Sequence, residues 1–150
     1  MFGCATLPLR VAAIPPAFLA NRVRISQAQK INPEGRTSML QIKDWDALYE
    51  NAASRRYTRL NNVFLPNRFD GSKYAELVTG ENGVTRYAAW TAMLAIASHG
   101  SPGQRGQLKR SDGTPHTAKS LALITRMPVA IYEDAIPALL KLGWLAQSKD

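Results

Sequence analysis

One stretch constrains this chain more than any other: "RGQLKRSDGTPHTAKSLALITRMPVAIYEDAIPALLKLGWL", residues 105–145. Two helical periods meet there across three residues. Leu121 and Ile124 mark the inner face of a helix over 117–126, which Thr117 can cap. Pro128 suits the first position of the next helix, where Ile131, Ala135, Ala138, Leu139 and Leu142 share a face until Gly143 stops it. A short strand precedes the pair, with Leu108 inward and Arg105, Gln107 and Lys109 together outward. Asp112-Gly113 turns the chain, and "WLAQS" can return as a strand beside "GQLK". This is the order of a winged helix-turn-helix, so the expected class is mainly α, with a small two-stranded β element and extra N-terminal helices.

Upstream, Asp44 can cap a helix running to about Ser54, with Trp45, Leu48, Tyr49 and Ala52 on one face. Arg56 would fall on that face if the helix continued. "NNVFLPNRFDG" reads as loop and "SKYAELV" as a short helix. "VTRYAAWTAMLAIAS" is the strongest helix, with Tyr87, Trp90, Leu94 and Ala97 aligned and Gly100 as its C-cap. Trp45, Trp90 and Trp144 each belong to an apolar face and read as core anchors rather than stacking platforms.

Residues 1–38 show no sustained period. They carry Arg10, Arg22, Arg24, Lys30 and Arg36 against Glu34 alone. The segment reads as a disordered basic arm or, the favoured alternative, as a start assigned too early, with Met39 the true start. Residues 39–150 form the expected domain. The whole chain is +8, but the 14 bases and 10 acids of 39–150 leave that part only +4. A basic balance favours acidic partners, nucleic acid first among them.

Cys4 is the single cysteine, which excludes an intramolecular disulfide or a cysteine zinc cluster and fits a cytoplasmic setting. No apolar run is long enough to span a bilayer, and Pro15-Pro16 interrupts the apolar N-terminus, against a signal peptide. His99 and His116 lie seventeen apart without a carboxylate at ligand spacing. Asp46 and Glu50 sit one helical turn apart at an expected surface. No nucleophile motif, phosphate loop or metal spacing occurs, so neither catalysis, a cofactor nor a metal is expected.

The segments "IKDWDALYENAASRRYTRL", "LPNRFDG", "YAAWTAMLAIAS", "RGQL", "SLALITRMP" and "ALLKLGWL", within residues 42–146, resemble phage-type and bacterial replication proteins with a replisome-organiser winged-helix domain, akin to the DnaD N-terminal domain. The resemblance implies a part in phage or plasmid-type DNA replication, or in transcription control near it, together with self-assembly. Two features depart from the pattern. Residues 146–150 cannot supply both a turn and a further wing strand, so the wing is absent or the protein continues. Pro137 falls inside the expected recognition helix, where a proline costs about 3 kcal/mol and implies a kink or a restart.

The outward face of that helix holds Val129, Ala130, Glu133, Pro137, Leu140 and Lys141. It lacks the Arg, Asn, Gln or Ser that read base edges. Positive charge gathers elsewhere. Arg105, Lys109, Arg110, Thr117, Lys119 and Arg126 form the expected phosphate-binding group on duplex DNA, and Arg55, Arg56 and Arg59 a secondary basic group. Val129, Pro137 and Leu140 suggest a protein interface, so the competing reading is a self-assembly or scaffold module with a replication-protein partner.

Overall fold

The computed structural model describes residues 38–66 and 69–148. The expectation for the N-terminal arm therefore falls outside the described residues. The order is β1 (Met39–Ile42), α1 (Trp45–Leu48), a 3-10 turn (Ser54–Arg56), α2 (Ser72–Val78), α3 (Gly83–Ala97), α4 (Ala118–Thr125), α5 (Val129–Leu142) and β2 (Leu145–Ser148). The protein is mainly helical with one small two-stranded antiparallel sheet.

α5 is the central element and packs on α2, α3, α4 and β2. Its face Ala135, Leu139 and Leu142 is buried, and so is Tyr132, which the periodic reading left out. Tyr132 can be buried because its hydroxyl has partners, donating to Thr125 Oγ1 at 2.8 Å. From α3, Ala89, Trp90, Met93, Leu94 and Ala97 face this core; Leu77 of α2 and Leu121 of α4 complete it. Gly143 ends α5 in a left-handed conformation (φ 69°), and Trp144 N–H reaches back to Leu139 O at 2.9 Å. A side chain at that φ would be strained, which is why the helix stops on glycine.

Several expectations are corrected. The partner of β2 is β1, in the register Leu40 to Gln147 and Ile42 to Leu145. The "GQLK" segment lies on the other edge of β1, where Ile42 N–H donates to Gly106 O (2.7 Å) and Leu108 N–H to Leu40 O (2.8 Å). The strand from the start of the domain thus separates the two segments expected to pair. Four residues of "MLQI" carry too little alternation to mark a strand; hydrogen bonds from both sides make it one.

The first helix lasts one turn instead of ten residues. Asp44 adopts a left-handed backbone (φ 55°) with no side-chain cap. Asn51 Oδ1 then accepts from the N–H groups of Ala53 and Ser54, turning the chain into the 3-10 segment. Trp45 is buried as expected, whereas Leu48 and Ala52 are exposed. α3 ends at Ala97 with Ser98 as its cap; Gly100 instead lets Gln104 and Arg105 approach its backbone. Ile124 is 56% exposed, because an eight-residue helix with Leu121 as its buried anchor turns its last apolar side chain outward. Pro128 is the N-cap of α5 rather than its first residue, and α5 runs unbroken through Pro137, whose ring faces solvent, so the helix does not restart there.

Candidate nucleic-acid interface

The surface around α4 is built from a tight turn and a helix start. Lys109 bridges to Pro115, and Arg110 N–H donates to Thr114 O at 2.8 Å. The Asp112 carboxylate closes the turn by accepting from Thr114 N–H (2.9 Å) and Thr114 Oγ1 (2.6 Å). Those bonds, more than the nearby Arg110 charge, hold its carboxyl below the ordinary aspartate range. The one acid in this turn is thus occupied within the turn itself.

His116 follows, buried, with Nδ1 3.0 Å from Ser120 Oγ. Burial pushes its imidazole pKa down; Arg110 acts in the same direction and Asp112 against it. α4 starts with a reciprocal cap. Thr117 Oγ1 accepts from Ser120 N–H (3.2 Å), while Thr117 N–H donates to Ser120 Oγ (2.8 Å). Of the two uses open to Thr117 the structure shows the cap. Sequence reasoning missed Ser120 because the usual residue at the third helical position is Glu or Gln.

Arg110, Lys119 and Arg126 are exposed and Lys109 half-exposed. None forms an ion pair among the described residues. Lys109 Nζ donates to Gln104 Oε1 at 2.7 Å, a neutral partner that leaves its charge uncompensated. Arg126 is not on the helix surface seven residues after Lys119, as expected; it closes α4 in a left-handed conformation (φ 59°).

Arg105 does not belong with this group. Its side chain is 1% exposed and that of Glu50 3%, with Arg105 Nη1 2.9 Å from Glu50 Oε1. The guanidinium also donates to Gly100 O (3.1 Å), Ser54 O (3.1 Å) and Tyr57 O. Alternation placed it outward beside Lys109, but Gly106 breaks the phase. That residue has φ +87° and packs against Trp45, where an added Cβ would lie 2.7 Å from Trp45 Cβ. With four of its five N–H donors given to a carboxylate and three carbonyls and its side chain 1% exposed, this fork is out of reach of a phosphate at the surface.

Glu50, expected at the surface, is the inward partner. Burial pushes its carboxyl up, but hydrogen bonds from Ser54, Arg105 and Trp45 with the Arg105 charge outweigh this, and its pKa lies below the ordinary value. Among the described residues no buried side-chain nitrogen or oxygen lacks a partner.

Arg105 bonds Ser54 and Tyr57 on either side of Arg55 and Arg56, bracing the segment that presents the secondary basic group. Arg55, Arg56 and Arg59 are all exposed, and Arg55 donates to Asp46 O at 3.2 Å.

On α5 the exposed residues are Ala130, Glu133, Pro137 and Lys141. Asp134 is bound by Arg86 through two bonds of 2.7 and 2.9 Å. The exposure expected of Val129, Pro137 and Leu140 is found only in part: Leu140 packs against the core and Val129 is half-buried, leaving Pro137 alone of the three fully on the surface. α4 carries two adjacent exposed apolar residues, Leu123 (81%) and Ile124 (56%), and Val84 of α3 and Phe64 are each 79% exposed.

His99 is exposed, far in environment from buried His116, and Asp46 is exposed while Glu50 is not. Among the described residues no group of three or more His, Cys, Asp or Glu could hold a metal ion, and no helix is long and apolar enough to cross a membrane. No protein-family model, curated protein or solved structure matches the chain.

Proposed function

We propose that the chain is a non-catalytic, cytoplasmic DNA-associated module of winged-helix type, serving phage or plasmid-type replication and holding duplex DNA by its phosphates. The observation that carries the reading is a division of labour between α4 and α5. Lys109, Arg110, Lys119 and Arg126 stand at the surface without ion-pair partners among the described residues, while the exposed face of α5 offers no arginine or amide to a base edge. Phosphate contacts of this kind give affinity and register but no sequence information. In this reading β1 takes the place of the returning wing strand, since it pairs with β2 on one edge and with the 106–108 segment on the other.

The test is anisotropy of unrelated labelled duplexes across a salt series. Four neutralised phosphates give a slope of log K against log salt near about −3.6, and Lys119→Ala reduces its magnitude by about 1 on every duplex. Glu133→Gln leaves the ranking of duplexes unchanged. An absence of binding at low salt, or a preference for one duplex that Glu133→Gln abolishes, overturns the reading.

A second reading, assembly with another copy of the chain, draws on the exposure of Leu123 and Ile124. If it holds, Leu123→Glu lowers the sedimentation mass at high concentration while Leu140→Ala does so only by unfolding. A monomeric wild type at high concentration rejects it.

A further inference from the structure

A half-open cleft of about 420 Å³ lies away from α4, between the 43–49 segment, Leu65, Pro66, Phe69 and Gly71, α2, α3 and the turn after α5. Its volume is in the range of small-ligand sites. Six aromatic side chains line it. Phe69 meets Tyr74 and Tyr87 edge-on, at centroid distances of 5.1 and 6.4 Å, and Tyr74 meets Tyr87 at 5.3 Å and 90°. Edge-to-face packing orders these rings without stacking them face to face, and Phe69 remains 55% exposed. Trp144, tilted 56° on Trp90, also lines the cleft and is half-buried.

Two cations are part of the lining. Lys43 and Lys73 line the cleft, are exposed, and have no carboxylate partner among the described residues. Asp44 is the single acid among the described lining residues. A purely apolar occupant would leave both lysines unused. The chain's own N-terminal segment, with five bases against one acid, has the wrong sign for these two lysines. A ligand that joins a flat π-surface to a phosphate matches both features, since the rings accept any base by stacking and two ammonium groups suit a phosphate of charge about −1.5 to −2.

We infer that this cleft binds a nucleotide unit, its base among Phe69, Tyr87 and Trp144 and its phosphate at Lys43 and Lys73. The unit is either a free mononucleotide or an unpaired nucleotide of a single strand. The site uses none of Lys109, Arg110, Lys119 or Arg126, so it stands or falls separately from duplex binding.

Trp90 and Trp144 in the lining report occupancy directly. The full chain is titrated with AMP, dTMP, a deoxyadenosine oligonucleotide, inorganic phosphate and indole-3-acetate, and tryptophan fluorescence is followed. The oligonucleotide arm is repeated in Lys119→Ala protein, so that contacts around α4 are not mistaken for the cleft. Saturable quenching by a mononucleotide identifies the free ligand; quenching by the oligonucleotide alone identifies the strand. In either case Lys73→Gln weakens binding about tenfold, the loss of one charge-assisted bond, with unchanged melting. Phe69→Leu weakens it as well, and because Phe69 is largely exposed that variant folds. The inference is overturned by a lack of quenching with every nucleotide probe, by nucleotide binding that survives the Lys43→Gln/Lys73→Gln double change, or by saturation with indole-3-acetate where nucleotides fail.

Discussion

Arg105 and Lys109 sit four residues apart on one short segment and have opposite fates. The first is sealed in an ion pair with Glu50 and braces the 50–57 loop; the second lies at the surface with a neutral hydrogen-bond partner. The difference is made by Gly106, whose left-handed backbone lets the chain press on Trp45 and turns the preceding side chain inward. Charge therefore does two jobs here. Around Arg105 it is a structural tie between distant parts of the chain. Around α4 it has no ion-pair partner among the described residues, and in the proposed reading it meets an anion.

The largest expected effect tests the buried side of this comparison. Arg105→Ala leaves the Glu50 carboxylate uncompensated and costs about 3–5 kcal/mol in urea denaturation, and Glu50→Ala costs a similar amount. Exchanging both for apolar residues of similar volume recovers much of either loss. A cost below about 1 kcal/mol for Arg105→Ala would mean the pair is hydrated and surface-like.

Gly106→Ala comes next. It adds a methyl 2.7 Å from Trp45 Cβ at φ +87°, so crowding and backbone strain act together and destabilise by about 1–3 kcal/mol. An unchanged melting temperature would remove the hinge on which the comparison turns.

Acid sharpens it further. The pKa of His116 is lowered in the folded state, so the stability it contributes is present above its unfolded value, about 6.5, and is lost as pH falls toward the folded one. Glu50 is also lowered, so its contribution is present above about 4.3 and is lost below that. Melting therefore falls in two stages on acidification, and His116→Asn removes the first stage only. A first stage that persists in His116→Asn assigns it to another group.

The smallest effects belong to the exposed cations. Lys119→Ala changes stability by no more than about 0.5 kcal/mol. Arg126→Gly raises stability by up to about 1 kcal/mol, because glycine takes the left-handed conformation without the Cβ clash, while DNA affinity falls. Stability and binding moving in opposite directions in one variant would be hard to produce from a buried tie.

The helices were legible where punctuation and period agreed. "SKYAELV" between Gly71 and Gly80 matches α2 residue for residue, and α3 and α5 lie within a residue or so of their periodic reading. What stayed hidden depended on partners far away in sequence. Glu50 lies 55 residues from Arg105, and nothing local to "WDALYENAAS" announces that this carboxylate turns inward and the helix ends. β1 is a strand only because segments around 107 and 146 flank it. Leu140 was placed on the outer face of α5 by a wheel that omitted Tyr132; with Tyr132 in the core, the buried arc widens to include it. In the candidate site, Lys109, Arg110, Lys119 and Arg126 were readable as exposed bases, whereas Arg105 was not separable from them without the φ of Gly106.

The most direct test of the division between tying and binding charges is one variant in which Lys109, Arg110, Lys119 and Arg126 are all replaced by Gln. Duplex binding at low salt and thermal melting are measured on the same preparation. The account predicts that binding is lost while melting stays close to wild type, because Arg105 and Glu50 are untouched. A variant that binds duplex as wild type does, or that loses binding only by unfolding, would contradict it.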